Sequence, residues 1–387
     1  VKDMNIKMMG SSLIIAGTAL GAGMLAIPMV LAQFGLLYGS LLMVLICFGT
    51  TYAALLLLEA TIKAGGGLGL NSIARKTLGR QGQLITNGLL YALLICLLMA
   101  YILGAGDLLS QLLASLGINV SATTGQIAFT LIAGAVVACG TGVIDKLNRA
   151  LFFVMLASLV ITMTFLAPGM TQENLTQVTS HDHVALIKTS AILFTSFGFM
   201  VVIPTLVSYN QEATDKQLRN MVIVGSLIPL VCYLCWLFAV VGNLSEEQFR
   251  SFHNVSDLMA AFETKSPWIG NILSTFTGLA LLTSFFGVAM ALFNQNRDMF
   301  NQNTAVTYVI SFILPLAGSL LAADKFLQVL NYAGIILVFL AVFIPLVMVH
   351  KQRFMKVAED RYSAEGGSVM MLFSLLFGCF LIISQVI

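Results

Sequence analysis

The sequence predicts an all-α membrane protein of about eleven transmembrane helices. Three observations carry that reading: composition, recurring apolar runs, and the sorting of basic residues. Of 387 residues, 58% are hydrophobic and 9% are charged, against about 45–50% and about 25% in a soluble domain. A soluble fold of this length could not bury so much apolar surface behind so few charges, so the lipid bilayer is the expected solvent and partner. A net charge of +2 gives no reason to expect a nucleic-acid partner.

Runs of about 20 apolar residues, the length needed to cross the hydrocarbon core, fall at 11–33, 36–60, 83–114, 124–141, 149–168, 185–209, 221–241, 269–293, 305–322, 328–349 and 369–387. Together they form a single membrane domain over 1–387, with the longest loop at 242–268. The first run is too long for a signal-peptide core and has no convincing cleavage site after it, so no cleavable signal is expected. The third is long enough to tilt or to project beyond the bilayer. With the N-terminus in the cytoplasm, only Lys188, Arg250, Lys265 and Lys325 of the nineteen Lys and Arg residues fall outside. The positive-inside rule therefore selects that orientation, and an odd number of spans puts the C-terminus in the periplasm.

Two spans carry similar interruptions. In the first, Gly17, Gly21 and Gly23 precede Pro28; in the sixth, Gly198 precedes Pro204. Glycine weakens a helix interior and proline removes a backbone donor. Unpaired backbone at membrane depth is tolerated only inside protein or along a cavity. Close helix packing is the bland explanation, since Gly17 and Gly21 have GxxxG spacing. A matching interruption five spans later favours inverted repeats instead, with substrate bound at the breaks. The repeats would cover 11–168 and 185–349, with an additional helix at 369–387. Amides freed at half-helix starts suit a carboxylate. Freed carbonyls suit an ammonium group or a cation. Phe197 and Phe199 flank the second break, where an aromatic could stack on an aromatic substrate.

These residues resemble a known family. The run Gly17–Pro28, GTALGAGMLAIP, is similar to the opening signature of the bacterial aromatic amino acid permeases. The similarity continues through Leu57-Leu58-Glu59, Ala100-Tyr101-Ile102, Gly104 to Asp107, Gly140-Thr141, Phe194 to Phe199, Ser208-Tyr209, Thr283-Ser284-Phe285 and Tyr332-Ala333-Gly334. The resemblance implies a LeuT-type 5+5 inverted-repeat fold with broken helices 1 and 6. It also implies proton-coupled symport of an aromatic amino acid, tyrosine first, across the bacterial inner membrane, with no cofactor. Two positions depart from the family pattern: Met200 stands where a histidine is usual, and Asn294 where an aspartate is usual. Both departures remove a titratable group.

The expected substrate set is Gly17, Thr18, Gly21, Ala22 and Gly23 of span 1, Ser196, Phe197, Gly198 and Phe199 of span 6, and Tyr101 and Phe285 as further walls of a ring pocket. For the coupling ion, two readings stay open. Asp107 is the main acid at membrane depth, and such residues are functional candidates. Ala280, Thr283 and Ser284 share one face of span 8, where a carbonyl and two hydroxyls would supply hard oxygen ligands to a sodium ion. The plainer alternative is a Thr/Ser pair bonded to its own helix. Glu59 reads as an interface residue.

The six cysteines lie in apolar runs. Cys232 and Cys235 form a CxxC that reads as packing, with no further ligands near it. The four histidines fall in loops or at helix ends. A membrane-embedded enzyme would need clustered His, Asp, Glu or Cys at depth, and a channel would need pore-like repeats; neither is present. Among transporters, a serine/threonine permease is the alternative substrate class.

Overall fold

The computed structural model describes residues 6–21, 23–139, 141–249, 252, 255–263, 267–300 and 303–387. Ala22 of the expected substrate set lies outside the described residues, as do Lys2, Gly140, Arg250, His253 and Lys265. Among the described residues every regular element is helical. In chain order these are α1 (Ile6–Ala19), α2 (Gly23–Leu31), α3 (Gly35–Lys63), α4 (Leu70–Ser115), α5 (Ala122–Ala138) and α6 (Thr141–Leu166). Then follow α7 (Gln172–Thr176), α8 (His183–Lys188), α9 (Ser190–Ser196), α10 (Ile203–Tyr209), α11 (Asp215–Asn243) and α12 (Glu246–Phe249). The chain continues through α13 (Val255–Glu263), α14 (Pro267–Phe300), α15 (Thr304–Leu321), α16 (Phe326–Val338), α17 (Ile344–Phe354) and α18 (Gly367–Ile383).

Eight stretches among the described residues are long and apolar enough to cross a membrane, and α5 and α18 are shorter apolar helices. The protein is thus an all-helical multi-pass membrane protein. Its outward surface is what lipid requires: on α3, Leu37, Leu41, Val44, Leu45 and Phe48 form an exposed apolar stripe at helical spacing. In water such a stripe would be a liability.

Local sequence explains where the helices start and bend. Side chains of Ser121, Thr171, Asp182, Thr214 and Asn303 accept from backbone amides at the starts of α5, α7, α8, α11 and α15. These caps occupy donors that would otherwise be orphaned. Thr214 and Gln217 form a reciprocal capping box. Gly79 breaks α4 with φ 81° and ψ −168°, a conformation for which glycine is suited. The third apolar run, 83–114, is therefore preceded by a separate helix of about two and a half turns over 70–78. In span 10, Pro345 has no amide to donate, and the ladder widens to π spacing over Phe339–Phe343 just before it.

The core lies where α1, α2, α9, α11 and α14 meet. Leu20, Phe197, Phe199, Tyr233, Trp236, Phe276 and Phe285 are all fully buried there.

Candidate functional site

The first interruption is narrower than the sequence indicated. Gly17 and Thr18 still lie in α1; Gly17 packs against Phe152 of α6, and the Thr18 hydroxyl donates to Ile14 O at 2.8 Å. The helix stops at Ala19. Gly21 N turns back to Ala19 O at 2.8 Å, and α2 restarts at Gly23, with Met24 N bonded to Gly21 O at 3.2 Å. Glycine is required here by close approach. A Cβ on Gly21 would fall on the Ser284 hydroxyl, with the Tyr101 hydroxyl 3.5 Å away. One on Gly23 would fall on the Tyr233 hydroxyl and 2.7 Å from Ser196 Cβ.

The second interruption begins after Ser196. Gly198 N bonds to Thr195 O at 2.9 Å and Phe199 N to Phe197 O at 2.8 Å. These tight turns lead into a 3₁₀ turn at Met200–Val202. Helix resumes as α10 with Pro204 in its first turn, where its missing N–H costs nothing.

The two interruptions meet. α2 packs against α9, and α1 against α11. The meeting point is organised by α11, whose part the sequence reading missed. The Tyr233 hydroxyl lies 2.5 Å from Ala19 O, the last carbonyl of α1, and 2.7 Å from Ser196 O, the last carbonyl of α9. One turn later, Trp236 Nε1 donates to Met24 O in α2. The Phe197 ring stands edge-on to the Tyr233 ring at 5.2 Å. The signal available in sequence was a Tyr and a Trp three residues apart in the middle of an apolar run, since the polar tips of these rings need partners when buried.

The other predicted residues are placed as follows. Tyr101 and Ser284 bring their hydroxyls together opposite Gly21. Phe199 is fully buried beside the second interruption. Phe285 is also fully buried, but its ring packs edge-on against Phe129 of α5 at 5.1 Å and near Phe312 of α15 at 6.2 Å. Those contacts make it a joint between helices. The Thr283 hydroxyl lies 3.0 Å from both Leu279 O and Ala280 O, so it is turned onto its own helix. Of the span 8 trio, Ser284 is the one that faces the interruption. Asp107 is half-buried in α4, with Asp324 and Asp257 as its acidic neighbours. It lies six residues beyond Tyr101, about 9 Å along the helix.

The tryptophan/tyrosine permease family model matches residues 4–385. The chain belongs to that family. It is 60% identical to "Glutamine transporter 2" of Aliivibrio fischeri, an alignment covering 99% of this chain and 100% of the relative. It is 34% identical to "Tyrosine-specific transport system 1" of Haemophilus influenzae, over 96% and 94% of the two chains. It is 28% identical to "Tryptophan-specific transport protein" of Pseudomonas aeruginosa, over 96% and 92%. The family and these relatives are amino acid transporters and permeases, not enzymes.

This tryptophan/tyrosine permease family member also holds a charged cluster where α3, α17 and the segment 355–366 converge. The Glu59 carboxylate is completely buried. It accepts Lys63 Nζ at 2.9 Å, Arg353 Nε at 2.9 Å, Arg353 Nη2 at 2.6 Å and Ala364 N at 2.8 Å. Gln352 Nε2 adds a bond to Ala60 O at 3.0 Å. The same 355–366 segment reaches α11. Arg361 grips Asp215 with two bonds at 3.1 and 2.8 Å, and Tyr362 N donates to Asp215 Oδ2 at 2.9 Å. Burial pushes the Tyr362 hydroxyl's pKa above its ordinary value. Glu59, expected as an interface residue, thus lies fully buried at the centre of four charged or polar donors.

Proposed function

We propose that this chain is a secondary transporter that imports a neutral amino acid by alternating access, with glutamine as its first substrate. The transport reading is carried by one observation: two interrupted helices present their terminal carbonyls, Ala19 O and Ser196 O, to the same buried point. Carbonyls left without helical partners suit an α-ammonium group, and turn amides near the interruptions suit a carboxylate. Glutamine is favoured by the 60% identical relative of that name. The Met200 and Asn294 departures from the tyrosine and tryptophan pattern agree with a changed substrate.

Tyrosine is the second reading. Family membership and the buried Phe197 and Phe199 beside the interruption favour it. The packing of Phe285 onto Phe129 and Phe312 weakens it, because that ring is already engaged. Serine and threonine are the third class.

The proposed frame is eleven crossings in a LeuT-type 5+5 arrangement in the bacterial inner membrane, N-terminus inside and C-terminus outside. The coupling ion is a proton by family resemblance. A sodium ion beside Gly21, held by Ser284 with Ala280 O and a rotated Thr283, is the competing assignment.

The test is uptake of radiolabelled glutamine into proteoliposomes, with tyrosine, tryptophan and serine as unlabelled competitors and with proton and sodium gradients imposed separately. Displacement by glutamine far more strongly than by the others supports the first reading. Displacement by tyrosine or tryptophan at lower concentration moves the assignment to aromatic substrates, and preference for serine to the hydroxy-amino-acid class. No saturable, gradient-driven uptake of any of them overturns transport itself.

A further inference from the structure

Tyr233 has one hydroxyl proton but two carbonyl oxygens, Ala19 O and Ser196 O, directed at its hydroxyl oxygen. It can give a full hydrogen bond to one of them at a time. The Tyr233 side chain is completely buried and braced by Phe197, and the next turn of α11 is fixed to α2 through Trp236. The space between the two carbonyls is thus filled by a group with fewer donors than the acceptors it meets. An ammonium group, with three donors, matches that acceptor pair better. At Ala19 O the Gly21 amide already takes one lone pair, so the hydroxyl and an ammonium compete for the other.

We propose that Tyr233 is a positioning residue whose hydroxyl and the substrate's α-ammonium are alternative occupants of the space between Ala19 O and Ser196 O. This rests on the reading that the paired interruptions hold the transported amino acid. When substrate leaves, the hydroxyl returns and covers Ser196 O and the side of Ala19 O that the Gly21 amide does not reach. Tyr233 thereby stabilises the unloaded, packed conformation through which a carrier resets. A loaded carrier has no need of that bond.

This predicts a split that a merely structural residue would not give. Net uptake requires the unloaded carrier to reset in every cycle, whereas exchange of internal for external substrate does not. Tyr233→Phe keeps the ring and its packing on Phe197 but removes the hydroxyl. In proteoliposomes with radiolabelled glutamine, net uptake is expected to fall about tenfold, exchange to stay within about twofold, and the KM for exchange to fall several-fold, since a competitor for the carbonyls is gone. A tenfold change corresponds to about 1.4 kcal/mol, within the range for leaving a buried acceptor unsatisfied.

Tyr233→4-aminophenylalanine, of the same shape but with two donors, should restore net uptake and raise the exchange KM above that of Tyr233→Phe. With two donors it can serve both carbonyls at once, so its exchange KM is expected to rise above wild type with net uptake retained, and an exchange KM at or below wild type overturns the proposal even if the Phe variant fails to fold. Equal loss of net uptake and exchange, a raised KM in Tyr233→Phe, or unchanged kinetics in both variants overturns the proposal. If wild-type protein exchanges neither glutamine nor tyrosine, the transport reading itself fails; if wild-type exchange is robust and the split is absent, only the role of Tyr233 does.

Discussion

Replacing Arg353 with methionine probes the charged cluster most directly. Arg353 supplies two of the four donors that reach the Glu59 carboxylate, at 2.9 and 2.6 Å, and it also donates to Ala364 O at 3.1 Å. The Glu59 side chain has no exposure, and that of Arg353 is 23% exposed. Methionine keeps part of the apolar stem and removes the charge. Glu59 would then face Lys63 and one backbone amide with half its donors gone. Removing one partner of a buried pair costs about 3–5 kcal/mol, because the remaining charge is left poorly compensated. Domains of 150–250 residues shift by roughly 2–4 °C per kcal/mol, and longer chains by less. A fall of about 5–10 °C in the thermal midpoint of the detergent-purified monodisperse protein follows from those figures. Arg219→Met is the control: its partner Glu365 is 76% exposed, and such pairs are worth about 0–1 kcal/mol. The double variant Glu59→Met/Arg353→Met should recover part of the loss, since no unpaired carboxylate remains; Lys63 still limits the recovery. If Arg353→Met matches the Arg219→Met control, or if the double variant falls by the sum of the singles, Glu59 is not held as described.

Three further outcomes are expected. Gly21→Leu should abolish uptake while leaving membrane insertion intact, because the side chain would occupy the position of the Ser284 hydroxyl; uptake at wild-type rate removes Gly21 from the site. Gly198→Leu should do the same, since its Cβ would lie 2.8 Å from Thr195 O and 3.1 Å from Leu337, and uptake in that variant is measured in parallel. Uptake at fixed pH with sodium replaced by choline should be lost if Ser284 helps hold a sodium ion, and Thr283→Ala/Ser284→Ala should then weaken the sodium dependence. Uptake indifferent to sodium but driven by an imposed pH gradient eliminates that site, and Asp107→Asn becomes the next variant to measure.

Much of the frame was legible in sequence because membrane solvent constrains it so strongly. Apolar runs have to become helices, and glycine followed by proline at membrane depth weakens them, although Gly225 and Pro229 sit inside an unbroken α11. The interruptions at Gly21–Gly23 and after Ser196 follow from those rules. The rules place an interruption only to within a turn, which is why Gly17 and Thr18 proved to be ordinary helix. What stayed illegible was direction around the helix. Thr283 and Ser284 are adjacent in sequence, yet one hydroxyl turns onto its own backbone and the other faces Gly21. Phe285 looked like a pocket wall by proximity and instead joins α14 to α5 and α15. Tyr233 and Arg353 act through partners up to 214 and 294 residues away, so the sequence can mark a buried polar side chain without naming its partner.

Those distant contacts also suggest which parts would move together. Ser12 donates to Met221 O at 3.1 Å and Tyr233 meets Ala19 O, so α1 is tied to α11 at its middle and at its C-terminal end. Thr195 donates to Leu330 O at 2.9 Å, and a Cβ on Gly334 would strike Ala191 O, so α9 lies directly on the backbone of α16. Polar bonds onto main-chain carbonyls resist sliding, because carbonyl positions are fixed by the helix and an unpaired carbonyl in this setting is costly. α1 with α11 forms one such unit, and α9 with α16 another. The Tyr233 hydroxyl touches both, through Ala19 O and Ser196 O. Relative motion of the two units must therefore break one half of that shared contact, and a single hydroxyl proton lets one half break while the other keeps its bond. A low-cost release at the point where two units meet is what reorientation of a carrier requires, and an amino group arriving between the same carbonyls would set when that release occurs.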